Sequence, residues 1–138
     1  MPTANFVKYN AGTEALIEGV NAGTDVWRVI LSNTAPDAAD AVLLDAAELA
    51  TGGGYTANGN VAATTSSTQT GGVYKLVLAS PATWTGSGAG FTARYAILWN
   101  QTANALIGYW DYGSSQLVAA GETLTVTLDA TNGVFTVT

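Results

Sequence analysis

Phe91-Thr92-Ala93-Arg94-Tyr95-Ala96-Ile97-Leu98-Trp99 is the strongest strand signal in the chain. Simple alternation places Phe91, Ala93, Tyr95, Ile97 and Trp99 on one face, and Arg94, Ala96 and Leu98 on the other. The polar run Asn100–Asn104 then turns the chain into Ala105-Leu106-Ile107-Gly108-Tyr109-Trp110, the expected hairpin partner, which ends near Asp111 and Gly113. Working outward, Asp25–Leu31 is apolar on both faces except at Arg28 and reads as a central strand. Val73–Ala79 is a strand. Glu122–Leu128 alternates cleanly, with Leu124, Val126 and Leu128 inward and the threonines outward. Asn5–Tyr9 and Val134–Thr138 are the first and last strands, the latter after an Asn132-Gly133 turn.

Two short helices interrupt this pattern. Thr13–Glu18 has Thr13 as N-cap and Gly19 as stop. Val42–Leu49 is the better helix, with Leu43, Leu44 and Ala47 toward the sheet and Asp45 and Glu48 toward water. Tyr55–Thr65 reads as an edge strand or extended arm, Ser66–Gly72 as a polar turn, and Gly86–Gly90 as a flexible loop. Seven or eight strands with short connections predict an all-β fold: a single antiparallel β-sandwich or jelly-roll-like domain over residues 1–138, with an excursion at 52–72 that can protrude.

Composition excludes several functions. The chain has 138 residues, 48% of them hydrophobic and only 10% charged, against about 25% in an ordinary soluble domain. Net charge is −6, and four basic residues are too few for a nucleic-acid surface or a polybasic membrane anchor. No apolar run reaches the length of about 18 residues that a membrane span needs. There is no Cys and no His, so thiol nucleophiles, disulfides and His-dependent triads are absent. The first residues lack a basic stretch followed by an apolar one, so no secretory leader is expected, and folding in a cytoplasm is.

The remaining candidates each have an ordinary explanation. Glu14 with Glu18 and Asp45 with Glu48 have helical spacing and read as solvated faces. Asp37 with Asp40, and the Asp129–Gly133 loop, lack the alternating ligands of a calcium loop and read as turns. Gly52–Gly54 and Gly86–Gly90 lack the order of a phosphate-binding loop. Asn100-Gln101-Thr102 fits a glycosylation sequon by chance. Tyr109, Trp110 and Tyr112, with Asp111 among them, are the residues a carbohydrate-binding module would use; Trp27, Tyr95 and Trp99 are expected in the core. Arg94, mid-strand among small and apolar neighbours, needs a partner: Asp25, Asp111 or a neighbouring subunit. No catalytic residue, cofactor or metal ligand is expected.

Gly53-Gly54-Tyr55-Thr56-Ala57, following a segment that ends in Glu48-Leu49, resembles a group of small structural proteins of tailed bacteriophages. Trp84-Thr85, Phe91-Thr92-Ala93-Arg94-Tyr95-Ala96, Leu106-Ile107-Gly108-Tyr109 and Gly121-Glu122-Thr123-Leu124-Thr125-Val126 extend the likeness in the same order. The resemblance implies a β-sandwich without catalytic residues, acting as a capsid decoration (cement) protein. It implies a virion location after assembly in the host cytoplasm, the phage's major capsid protein as partner, and a homo-oligomer, dimer or trimer. A tail, adaptor or fibre component is the alternative within the virion. The expected contact segments are Pro2–Asn10, Gly52–Gly72 and Gly86–Gly90.

Overall fold

The computed structural model describes residues 4–138 and is an all-β, antiparallel, sandwich-like fold. Its strands are β1 (Phe6–Lys8), β2 (Trp27–Ser32), β3 (Asn60–Val61), β4 (Thr64–Thr70), β5 (Val73–Leu78), β6 (Trp84–Thr85), β7 (Phe91–Asn100), β8 (Ala105–Val118), β9 (Thr123–Leu124) and β10 (Phe135–Val137). Helix α1 covers Asn10–Glu18. One sheet has the order β1-β8-β7-β2-β3, a second β10-β5-β4, and a short ribbon joins β6 to β9. β2 is central, as its two-faced apolar pattern requires.

The five-stranded sheet is buried on both faces. Trp27, Val29, Leu31, Ala96, Leu98 and Ile107 pack on one side with Leu76 and Leu78 of the second sheet and Leu124, Val126 and Leu128 of the C-terminal segment. Ile30, Tyr95, Ile97, Trp99 and Leu106 pack on the other with Tyr9 and Ala46. The inward alternation at Leu124, Val126 and Leu128 holds, although only Thr123–Leu124 forms a ladder.

Simple alternation fails within β7. Ala93 packs with Ala96 and Leu98 in the first cluster, but Tyr95 lies in the second. Ala93 pairs with Gln116 and Tyr95 with Asp111, so two steps along β7 are matched by five along β8. This irregularity kinks the hairpin and exchanges the strand's faces at Arg94. A second shift lies between Leu98 and Trp99, where Ile107 is the extra residue of β8. β8 therefore runs through Asp111 and Gly113 to Val118 instead of stopping there.

Other expectations are corrected. Val42–Leu49 is not a helix but a single 3-10 turn at Leu43–Ala46, closed by Ala47 in the left-handed region. Asp45 folds back to accept the Ala41 and Val42 N–H groups and caps the start of the turn, and the left-handed Ala47 ends it. Leu44 is 93% exposed and Ala46 is the buried residue. Helix α1 begins at Asn10, with Tyr9 instead of Thr13 at the N-cap, and stops at Gly19 as expected. Ser66–Gly72 is mostly strand: β4 pairs with β5 around the two-residue turn Gly71-Gly72, both with positive φ. The 52–72 segment does not protrude as one piece. Tyr55 is buried, and its hydroxyl donates to Glu48 Oε1 and accepts the Leu31 N–H at 3.2 Å. Glu48, expected in water, also accepts the Asn58 N–H.

Gly59 and Gly71 share almost the same backbone conformation, φ +59 and +60, but not the same surroundings. A Cβ on Gly59 would overlap the Val29 carbonyl, whereas one on Gly71 meets open space. Gly71→Ala is expected to cost about 1 kcal/mol, the left-handed penalty alone. Gly59→Ala is expected to cost at least twice that, because β2 must also shift. Urea denaturation midpoints at unchanged m-value check this, and equal costs would refute it.

Candidate functional site

The sandwich is open along one side. β1 is an edge of the five-stranded sheet and β10 an edge of the three-stranded sheet. Helix α1 lies beside both, because Gly12 lets it touch the backbone of β8: its Cα hydrogen side faces the Leu106 and Ile107 carbonyls, which an added Cβ would meet at 2.6 and 2.9 Å. A groove of about 790 Å³ runs between Phe6 and Lys8 of β1, Leu16 and Ile17 of α1, and Phe135–Thr138. A second, of about 510 Å³, continues past the same helix toward Val20, Ala22, Ser67 and Tyr74. Leu16, Ile17, Phe135 and Val137 belong to both. Lys8 is the only charged side chain on these walls among the described residues. Ile17 is 77% and Val137 45% exposed, so apolar surface lies open to water on both banks.

The cleft only partly coincides with the expected contact segments. Phe6 and Lys8 fall within Pro2–Asn10, of which residues 2 and 3 lie outside the described residues. Gly86–Gly90 is closely packed at its two ends: added Cβ atoms at Gly86 and Gly90 would overlap the Ala119 and Val118 carbonyls, and Ser87 N–H donates to the Gly53 carbonyl at 2.9 Å. Helix α1 and strand β10 were expected as elements, at Thr13–Glu18 and Val134–Thr138, but not as contact segments. The signal was Ile17, an apolar residue beside the Leu16–Val20 pair that the helix already spends on the core.

The polar candidates resolve individually. Arg94 pairs with Asp111, not Asp25, through Nε–Oδ1 at 2.8 Å and Nη2–Oδ2 at 3.1 Å, and lies 5.1 Å from the centre of the Tyr95 ring. Asp25 instead accepts the Asn100 side-chain amide at 3.1 Å. Asn100 is fully buried, which closes the sequon to modification. Glu14 and Glu18 are exposed on α1. Asp37 accepts the Ala39 N–H, Asp40 the Asp37 N–H, and Asp129 the Thr131 and Asn132 N–H groups, so these acids build turns. No cluster of three metal-ligating side chains occurs among the described residues. Nor is any helix there long and apolar enough to cross a membrane.

The aromatic residues do not form one platform. Tyr109 packs toward Tyr9 and Tyr95, with ring centres 5.4 and 6.3 Å away, while Trp110 lies on Phe6 at 4.9 Å on the opposite face with Tyr112. Trp27, Tyr95 and Trp99 are buried, as expected. Burial, and then the charge of Asp40, push the Tyr9 hydroxyl well above the ordinary tyrosine range, so it stays protonated. Comparison with known protein families, with characterised proteins and with solved structures finds no match.

The Arg94 guanidinium, helped by the Gly113 N–H, holds the Asp111 carboxyl below the usual carboxylate range. A lowered folded-state pKa stabilises above the unfolded value of about 3.9 and is lost as pH falls through the folded value. Both side chains are 37% exposed, so the effect is small and salt-sensitive. Asp111→Asn is therefore expected to lower the melting temperature slightly at pH 7 and to match the parent in strong acid. Thermal melts from pH 7 to 2 check this; a gap that widens in acid would refute it.

Proposed function

We propose that this chain is a structural protein of a tailed-phage virion, a decoration or cement protein that binds the capsid lattice. Its partner is the major capsid protein of the same phage, and its action is passive. Each bound copy adds buried area across a boundary between capsid subunits and so raises the cost of losing one. The observation that carries this reading is the open apolar cleft, with Ile17 and Val137 exposed on its two banks. Beside it stands the sequence resemblance. In the fold its residues are structural: Gly53 and Gly54 touch the Gly90 and Thr85 backbones, and Tyr55, Trp84 and Leu124 are buried.

A surface with few charges suits face-to-face association. A stable interface between two proteins ordinarily buries about 1,600 Å² in total. Repetition over a lattice lets a contact smaller than that give stable attachment. The chain assembles in the host cytoplasm and resides in the particle. It performs no catalysis in this reading; it has no His or Cys, and Asp111 is tied to Arg94.

The test is co-sedimentation with particles that lack the native protein. The parent chain is expected to coat them, and Ile17→Asp to weaken binding about tenfold, the loss of roughly 1.4 kcal/mol per site, and so to lower occupancy at sub-saturating concentration. Because Ile17 is 77% exposed, its folding stability should change by no more than about 0.5 kcal/mol. A parent chain that does not bind, or an Ile17→Asp variant that binds equally well, would overturn the proposal.

A further inference from the structure

Strand β4 is the outer strand of the three-stranded sheet and pairs only with β5 among the described residues. Its seven residues, Thr-Thr-Ser-Ser-Thr-Gln-Thr, carry no charge and include no proline. Five of the seven are exposed. Proteins ordinarily protect such an edge with charge, proline or cover. Here the protection is confined to one end, where the register shifts between Thr64 and Ser66. Gly23 lies against the Ser67 side chain and makes no backbone hydrogen bond to the edge.

The β4–β5 hairpin determines which backbone groups are free. Thr70 and Val73 flank a two-residue turn, so that pair is hydrogen-bonded, and the pattern alternates back along the strand. Thr68 and Ser66 thus bond to β5, while Ser67 and Gln69 turn their N–H and C=O groups outward. These four groups are self-complementary. We infer that β4 pairs antiparallel with β4 of a second copy, about a two-fold axis through Thr68. Ser67 then faces Gln69 of the second copy, and Gln69 faces its Ser67, so the four outward groups of each strand's regular part are all used.

A second copy fits better than a charged partner. With a net charge of −6, two copies repel, and an uncharged edge is where they can meet without placing like charges opposite one another. Thr68 and its symmetry mate also form a cross-strand pair of β-branched residues, a favourable combination. The contact is short, so it is weak alone and gains strength when a lattice holds many copies together. It deepens the oligomeric part of the virion reading yet can fail separately, since particle binding is read through Ile17 and Val137 of α1 and β10, and β4 gives the cleft only Ser67 at its far end.

The test uses the absence of cysteine in the chain. In the inferred register Thr68 and its mate are a non-hydrogen-bonded pair with Cα atoms about 4.5 Å apart, within the span of a disulfide. Under mild oxidation Thr68→Cys should form a covalent dimer about tenfold or more faster than the exposed control Thr127→Cys, because pairing raises the effective thiol concentration. Adding Gln69→Pro, which removes an outward N–H and the side-chain acceptor of the Gly72 N–H but no backbone bond to β5, should return the rate to that of the control, whereas Gln69→Ala, which loses only that acceptor, should keep the fast rate. Hydrogen exchange of the unmodified chain provides a readout that needs no variant: Ser67 and Gln69 amides should gain protection as concentration rises. Equal crosslinking rates for the two cysteine variants would overturn the inference. So would concentration-independent exchange at Ser67 and Gln69.

Discussion

The register of β8 against β7 is the constraint on which the rest of the molecule depends. Two shifts let one hairpin supply apolar residues to both faces of the sheet without a flat, regular ladder. At the first, the Tyr112–Ser115 stretch of β8 is left over against Arg94, and the Arg94–Asp111 pair spans the kink. At the second, the additional residue Ile107 turns its side chain to the first core cluster, and its carbonyl accepts the Tyr9 N–H at 3.1 Å. That bond directs the chain from β1 into α1. Gly12 then seats the helix on the same bulge, and Phe6 lies over Gly108, where any side chain would collide with its ring.

The consequence is an asymmetric sandwich. One face of the central sheet is covered by the second sheet and the C-terminal segment; the other is covered by the irregular 33–49 segment, with Ala46 as its buried contact. Tyr55 ties the two coverings together, because its hydroxyl bridges Glu48 and the Leu31 backbone while its ring packs beside Trp84 and Phe91. Arg28 works similarly at the opposite edge, donating to Gln101 at 2.7 Å and to the Gly59 carbonyl at 3.3 Å. What stays uncovered is the side where β1 and β10 end their sheets. The apolar cleft is therefore a product of the topology, and it supplies the surface on which the proposed assembly role rests.

Elements whose pattern is set by local burial were legible in the sequence. β2, β5, the Asn100–Asn104 hairpin and the inward Leu124, Val126 and Leu128 follow from alternation and turn residues. The failures have a common cause in long-range contacts. Val42–Leu49 has helical spacing, but Asp45 and Glu48 are used by backbone N–H groups and Tyr55, partners that spacing cannot reveal. Ser66–Thr70 is polar enough for a turn but gains a ladder from β5. The face exchange at Arg94 comes from extra residues in the partner strand, so β7 alone carries no trace of it. The cleft was the least legible feature, because it joins residues more than a hundred positions apart.

Cryo-electron microscopy of purified virions tests the central claim most directly. The account predicts repeated density for this sandwich on the outer capsid lattice, with the α1–β10 side facing the major capsid protein. Virions whose lattice carries no copy of the chain, or copies that dock through the opposite 33–49 side with the cleft facing solvent, would contradict it.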